Sequence, residues 1–207
     1  MELTSEDRKQ IDRWLAGFFL REPDAASIQL YRSEEGTALL DQLAKVPALE
    51  PLVSTMRATF APPVDPETLR LDLAAAYGRL FLTGGPRGVP LHASAYLSER
   101  GLLNQAPTRE TAAILASLGL TAPPGFKEPV DHIGLQLSIL AELAGGAEAD
   151  GLSEEAYLRS HLLTWVPTLA ALCAQRSTVP FYRDLATSAL AWLRAVEQQL
   201  SVAPAGA

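Results

Sequence analysis

The stretch Glu128, Pro129, Val130, Asp131, His132 runs straight into the apolar segment Ile133 to Leu143. Proline suits the first position of a helix, where the missing N–H is no loss. Asp131 follows two residues later, where a negative charge meets unpaired helix N–H groups. The pattern predicts a helix from Pro129 to about Ala144, with His132 held at a fixed place near its start. The plain reading is a well-capped helix and nothing more. The rest of the chain has to decide between that and a site.

Helix follows helix on both sides of this stretch. Thr4 or Ser5 caps an amphipathic segment with Ile11, Trp14, Leu15, Phe18 and Phe19 on one face, ending near Pro23. Ala25 to Tyr31, Thr37 to Lys45 and Leu49 to Phe60 show helical spacing of apolar residues, punctuated by Gly36 and Pro47. Asp65 and Pro66 open a helix expected to reach Leu82, where the Gly and Pro residues of 84–90 stop it. Further helices are expected over Thr108 to Leu118, Ser153 to Arg176 with Pro167 inside, and Pro180 to Leu200. Strand alternation, hairpin dipeptides and internal repeats are absent. The fold class is therefore all-α, about ten helices in two packed lobes.

Residues 119–127 contain Pro123, Pro124 and Gly125 and no periodic pattern. They divide one all-helical domain, residues 1–207, into an N-terminal lobe (1–120), a hinge (119–127) and a C-terminal lobe (128–207). A short stiff connection of this kind lets two identical chains exchange a lobe.

Composition narrows the function classes. The chain of 207 residues is 48% hydrophobic and carries 24 acidic against 17 basic residues, a net charge of −7. That balance argues against nucleic acid and anionic membrane surfaces and suits a basic peptide. No apolar run approaches the roughly 18 residues needed to span a bilayer, and Met1 to Gln10 lacks the pattern of a secretory leader. A cytoplasmic location is expected. Cys173, the single cysteine, lies among Leu169, Ala170, Ala171 and Leu172 and reads as a buried apolar side chain.

Catalytic motifs are scarce. His92, His132 and His161 do not fall at zinc-site spacings, so no metal is expected. Asp131 and His132 are adjacent, so on a helix their side chains diverge by about 100° and cannot pair for general-base chemistry. Gly84, Gly85, Pro86, Arg87, Gly88 looks superficially like a phosphate-cradling loop but lacks the Gly-Lys-Ser/Thr ending. Tyr77 and Phe81 stand four apart on one helical face. Such a pair packs a core, or, left open beside the Pro90 to Tyr96 loop, forms an apolar groove for a peptide.

Three blocks stand in a fixed order: Leu71 to Tyr96, Glu128 to His132, and His161 to Pro167 followed by Val179 to Arg183. Together they resemble the TorD and DmsD family of maturation chaperones for molybdenum-containing redox enzymes. The Leu80-Phe81-Leu82 helix end, Ala93-Ser94-Ala95-Tyr96 and the Glu-Pro-x-Asp-His phrase look closest to the TorD branch, which serves trimethylamine N-oxide reductase. The DmsD branch carries Trp at the place of Tyr77 and a more aromatic loop after it. The resemblance covers about residues 68–200, and the first sixty or so residues supply helical pattern only.

The resemblance implies a cytoplasmic chaperone that binds the twin-arginine signal peptide and the apo form of a molybdopterin-containing oxidoreductase before cofactor insertion and export. It implicates Tyr77, Phe81, Pro90, Ser94, Tyr96, Glu128, Asp131 and His132 in client binding. Glu128 and Asp131 are the carboxylates expected to attract the paired arginines. It implies no cofactor beyond a weak guanine-nucleotide affinity that no residue pattern here supports, and a monomer in equilibrium with a lobe-swapped homodimer. Two alternatives from other classes are a small helical enzyme using His132 and a helical regulatory or scaffold module that binds a partner helix.

Overall fold

A computed structural model describes residues 3–85, 87–147, 149 and 151–202 of the chain; Pro86 and the tail 203–207 lie outside the described residues. It is all-helical, as the caps and periodicity imply. The helices are α1 (Ser5–Leu20), α2 (Ala25–Arg32), α3 (Glu34–Leu43), α4 (Glu50–Phe60), α5 (Pro66–Tyr77), α6 (Ser94–Leu97), α7 (Ala106–Ser117), α8 (Ile133–Ala144), α9 (Glu154–Tyr157), α10 (Val166–Arg176) and α11 (Pro180–Val202). Wider π-helical turns, Gly78–Leu82 and Leu158–Leu162, continue α5 and α9. No strand forms among the described residues beyond two isolated bridges.

Side-chain caps fix several of the starts. Thr4 and Asp7 exchange bonds at the head of α1, the Asp7 N–H meeting Thr4 Oγ1 at 3.1 Å and the Thr4 N–H meeting Asp7 Oδ2 at 2.9 Å. Asp24, Ser33, Asp65 and Ser153 accept from the backbone of α2, α3, α5 and α9. Ser33 serves two helices at once. Its amide closes the end of α2 on Leu30 O, and its hydroxyl takes the Gly36 N–H that opens α3.

Two compact units emerge, each assembled from separated stretches. The first comprises residues 1–20, 91–168 and 193–207, and the second residues 21–90 and 169–192. These boundaries differ from the lobes 1–120 and 128–207 expected from composition, because long-range packing groups α1 with α8. Residues 119–127, with Pro123, Pro124 and Gly125, fall wholly inside the first unit rather than between the two. There the segment is irregular, with turns at Gly119 (φ +65°) and at Pro124 and Gly125 (φ +83° at the glycine) and the Phe126 N–H on Pro123 O.

In the first unit, α8 is buried almost all round, the signature of a central helix. Helix α1 lies along it so closely that a Cβ at Gly134 would stand 2.5 Å from the Leu20 side chain. Arg8 grips Glu154 with two bonds of 2.8 Å, and Arg13 reaches Glu142. Gln199 from the end of α11 donates to Leu3 O at 2.6 Å.

The second unit centres on aromatic rings. Tyr31, Phe60, Phe181, Tyr182, Tyr77 and Phe81 form a chain of ring contacts with centroids 4.9 to 5.7 Å apart. The Tyr182 hydroxyl donates to Leu73 O at 3.0 Å, and burial pushes that phenol well above its ordinary pKa. Trp165 and Trp192 are fully buried, whereas Trp14 is half-buried and sets its ring edge-on against Phe18.

Two boundaries differ instructively from expectation. Pro167 does not sit inside one long helix from Ser153 to Arg176; the chain breaks after Leu162, and Pro167 takes the second position of α10, where its absent N–H has no helical partner to lose. Helix α8 starts at Ile133 and not at Pro129.

Candidate functional site

The later start of α8 changes the part played by Asp131 and His132. The N-cap of α8 is His132, whose Nδ1 accepts the Gly134 N–H at 3.1 Å. That bond uses the Nδ1 lone pair, so the neutral ring carries its proton on Nε2. Burial and the neighbouring His92 depress the His132 pKa to about 3, and the side chain stays uncharged at neutral pH.

Asp131 lies ahead of the helix, and its charge does not cap α8. It is fully buried. Its Oδ2 accepts the Ser94 N–H at 2.7 Å and the Ser94 hydroxyl at 2.5 Å, and its Oδ1 accepts the Thr108 hydroxyl at 2.9 Å. The Ser94 and Thr108 hydroxyl oxygens are themselves 3.0 Å apart. A carboxylate out of water needs such a set of donors, since its desolvation costs several kcal/mol.

The backbone reinforces the same junction. His92 and His132 form an isolated antiparallel bridge, with the Ala93 N–H on Asp131 O at 3.1 Å and the Ile133 N–H on Leu91 O at 2.8 Å. Residues opposed without direct hydrogen bonds come closest in such a pair. The two imidazoles meet edge to face at 5.2 Å, and Phe126 meets His132 at 5.7 Å. The segments Leu91 to Tyr96 and Glu128 to Ile133 are thereby buckled together.

Glu128 is the exposed acid of this buckle. Its Oε2 stands 3.2 Å from His92 Nε2, close enough for an ion pair with a protonated ring but not aligned as a hydrogen bond. Burial lowers the His92 pKa, while Glu128 and Asp131 pull it back up. Tyr96 is half-buried, its ring tilted over Trp165 at 5.2 Å. Trp165 in turn donates to Gln136 Oε1 at 3.1 Å, and the Tyr157 hydroxyl reaches Gln136 O at 3.3 Å. Gln136 is a buried polar node that the sequence reading passed over. A lone amide in an apolar helix was the available signal.

The remaining sequence-derived site residues lie in the second unit. Pro90, half-buried, is its last residue before the chain enters the first. Tyr77 and Phe81 are 6% and 7% exposed, with rings edge to face at 4.9 Å and both against Tyr182. Their rings are core, so the open aromatic face considered from the sequence is not formed by them.

Similarity to known proteins is spread over most of the chain. The family described as nitrate reductase delta subunit matches residues 39–171. The chain is 32% identical to Chaperone protein TorD of Vibrio vulnificus strain YJ016, over 87% of this chain and 88% of that protein. The chain belongs to the TorD family. Another relative with that name, from Vibrio parahaemolyticus, is 28% identical over 92% of this chain and 93% of its own length. One from Photobacterium profundum is 29% identical over 86% and 87%. The TorD likeness thus extends through the first sixty residues, where no motif was legible.

A TorD-family chain with relatives named as chaperones is not an enzyme, and the alternative of a small catalyst built on His132 falls away. Among the described residues no group of three His, Cys, Asp or Glu side chains could hold a metal ion, and no helix is long and apolar enough to cross a membrane. Cys173 is buried, and its thiol is pushed up to about 12.

Proposed function

We propose that the chain is a cytoplasmic maturation chaperone for a molybdopterin-containing oxidoreductase of the trimethylamine N-oxide reductase type. It binds the client's apo form and twin-arginine signal peptide until the cofactor is in place. The family membership and the name shared by its relatives support the class of activity.

One observation carries the assignment of the site. The two segments that the family resemblance links to client recognition, Leu91 to Tyr96 and Glu128 to His132, are joined by the Asp131–Ser94 and His92–His132 pairings within one unit. Asp131 is consumed in holding them, which leaves Glu128 as the exposed carboxylate for a guanidinium. The net charge of −7 favours approach of a basic peptide.

Calorimetric titration with the client's signal peptide tests this. Glu128→Gln is expected to weaken binding by about 1.5–3 kcal/mol, the range for a hydrogen bond to a charged group, with the thermal midpoint unchanged. An unaltered affinity removes Glu128 from the site.

A further inference from the structure

Several of the chain's arginines meet carboxylates. Arg8 pairs with Glu154, Arg13 with Glu142, Arg57 with Asp41, Arg70 with Glu67 and Arg159 with Glu197. One cavity of the second unit gathers three arginines without such a partner among the described residues. It has a volume of about 330 Å³ and is lined by Ala76, Arg79, Leu80, Arg87, Arg176 and Thr178. Three guanidinium groups line it, no lining side chain is acidic, and the chain as a whole is strongly anionic. The guanidinium groups of Arg79 and Arg87 make no hydrogen bond or ion pair among the described residues.

The cavity wall is built, not incidental. The Arg176 Nη1 donates to Gly88 O at 2.7 Å and ties the end of α10 to the loop that carries Arg87. The Val89 N–H closes that loop on Leu80 O at 2.7 Å, and the Gly88 N–H turns back to Gly85 O at 3.2 Å. A Cβ at Gly88 would lie 1.7 Å from the Thr83 carbonyl oxygen, so only glycine lets the loop fold this tightly. Arg79 enters from the π-helical turn Gly78–Leu82, a widened turn of the kind that often marks functional sites.

We propose that this cavity binds the phosphate group of a small phosphate ester. Arg79 and Arg87 supply the unpaired guanidinium donors, Arg176 a third charge and Thr178 a hydroxyl. Arginine's planar fork suits the tetrahedral oxygens of phosphate. Arg87 therefore takes part in anion binding through its guanidinium group and not through a cradle of backbone amides. The volume is roughly ten times the share of a liquid water molecule, about 30 Å³, and leaves room beyond the phosphate against Ala76 and Leu80. That wall is apolar and offers no edge to read a nucleobase. The ester's organic part is held by shape.

Titration calorimetry of the full chain against phenyl phosphate, inorganic phosphate and a triglutamate peptide, at matched ionic strength in chloride, tests the proposal. Phenyl phosphate is expected to bind about ten-fold tighter than inorganic phosphate. Arg79→Gln and Arg87→Gln are each expected to weaken it by about ten-fold, with unchanged melting, because neither side chain holds the fold. No binding at millimolar phenyl phosphate, or an affinity indifferent to both substitutions, overturns the site. Tighter binding of triglutamate overturns the ligand class in favour of an acidic peptide, and equal affinity for the two phosphates overturns the ester assignment.

Discussion

The carboxylate of Asp131 takes both the amide and the hydroxyl of Ser94, a residue 37 positions earlier in the chain. A side chain that looks like a free acid at a helix start is thus the clasp between two loops. Asp131→Ala is expected to leave the Ser94 and Thr108 donors unsatisfied in the interior and to lower stability by roughly 2–4 kcal/mol. Ser94→Ala removes one donor to a charged acceptor and is expected to lose about 1.5–3 kcal/mol. Urea denaturation of the two single variants and the double variant reads their coupling. Additive losses would mean that the pair does not act together.

Tyr77→Ala and Phe81→Ala are expected to destabilise the chain by about 3–5 kcal/mol each, as large-to-small changes in a packed core do. Thermal melts followed by circular dichroism measure this. A variant that keeps its melting temperature and loses only client binding would place the ring on the surface instead.

Acid sensitivity follows from His132. Its folded pKa, about 3, lies below the ordinary 6.5, so the unfolded chain binds a proton that the folded chain refuses. The stability from keeping this ring neutral is whole above pH 6.5 and falls as the pH drops toward 3, by about 1.4 kcal/mol per unit. His132→Asn retains a capping acceptor and removes the titration. Between pH 6.5 and 5, above the carboxylate range, its stability is expected to fall less steeply than that of the parent in urea melts. Equal slopes would assign the acid response elsewhere.

The turn from α2 to α3 leaves no room for a side chain at Gly36. A Cβ there would stand 2.1 Å from the Leu30 carbonyl oxygen, a backbone atom that cannot swing aside. Gly36→Ala is expected to cost about 1–3 kcal/mol despite alanine's better helix propensity, and Ser33→Ala about 1 kcal/mol through loss of the cap. Guanidinium unfolding midpoints rank the two, and a stabilised Gly36→Ala would refute the close approach.

Local chemistry made the helices legible. Asp65 caps the helix that it and Pro66 were expected to open, Ser153 stands at the start of α9, and the apolar run from Ile133 announced a buried helix. What stayed hidden depends on partners far along the chain. Pro129 and Asp131 satisfy the local rules for a helix start, yet Asp131 belongs to Ser94 and Thr108, and His132 caps in its place. Tyr77 and Phe81 have the spacing of a core pair and of a groove alike, and only Tyr182, a century of residues away in the chain, decides between them. The short α6 carries too few residues for any periodicity.

The interleaving of the two units bears on synthesis. Helix α1 leaves the ribosome well before α8, against which it packs, and the first unit lacks its closing stretch until residues from Leu193 onward have emerged. The second unit likewise waits for 169–192. The nascent chain therefore carries the apolar faces of Ile11, Leu15 and Phe19 unsheltered through most of its translation. A chain stopped anywhere ahead of α11 lacks part of each unit at once.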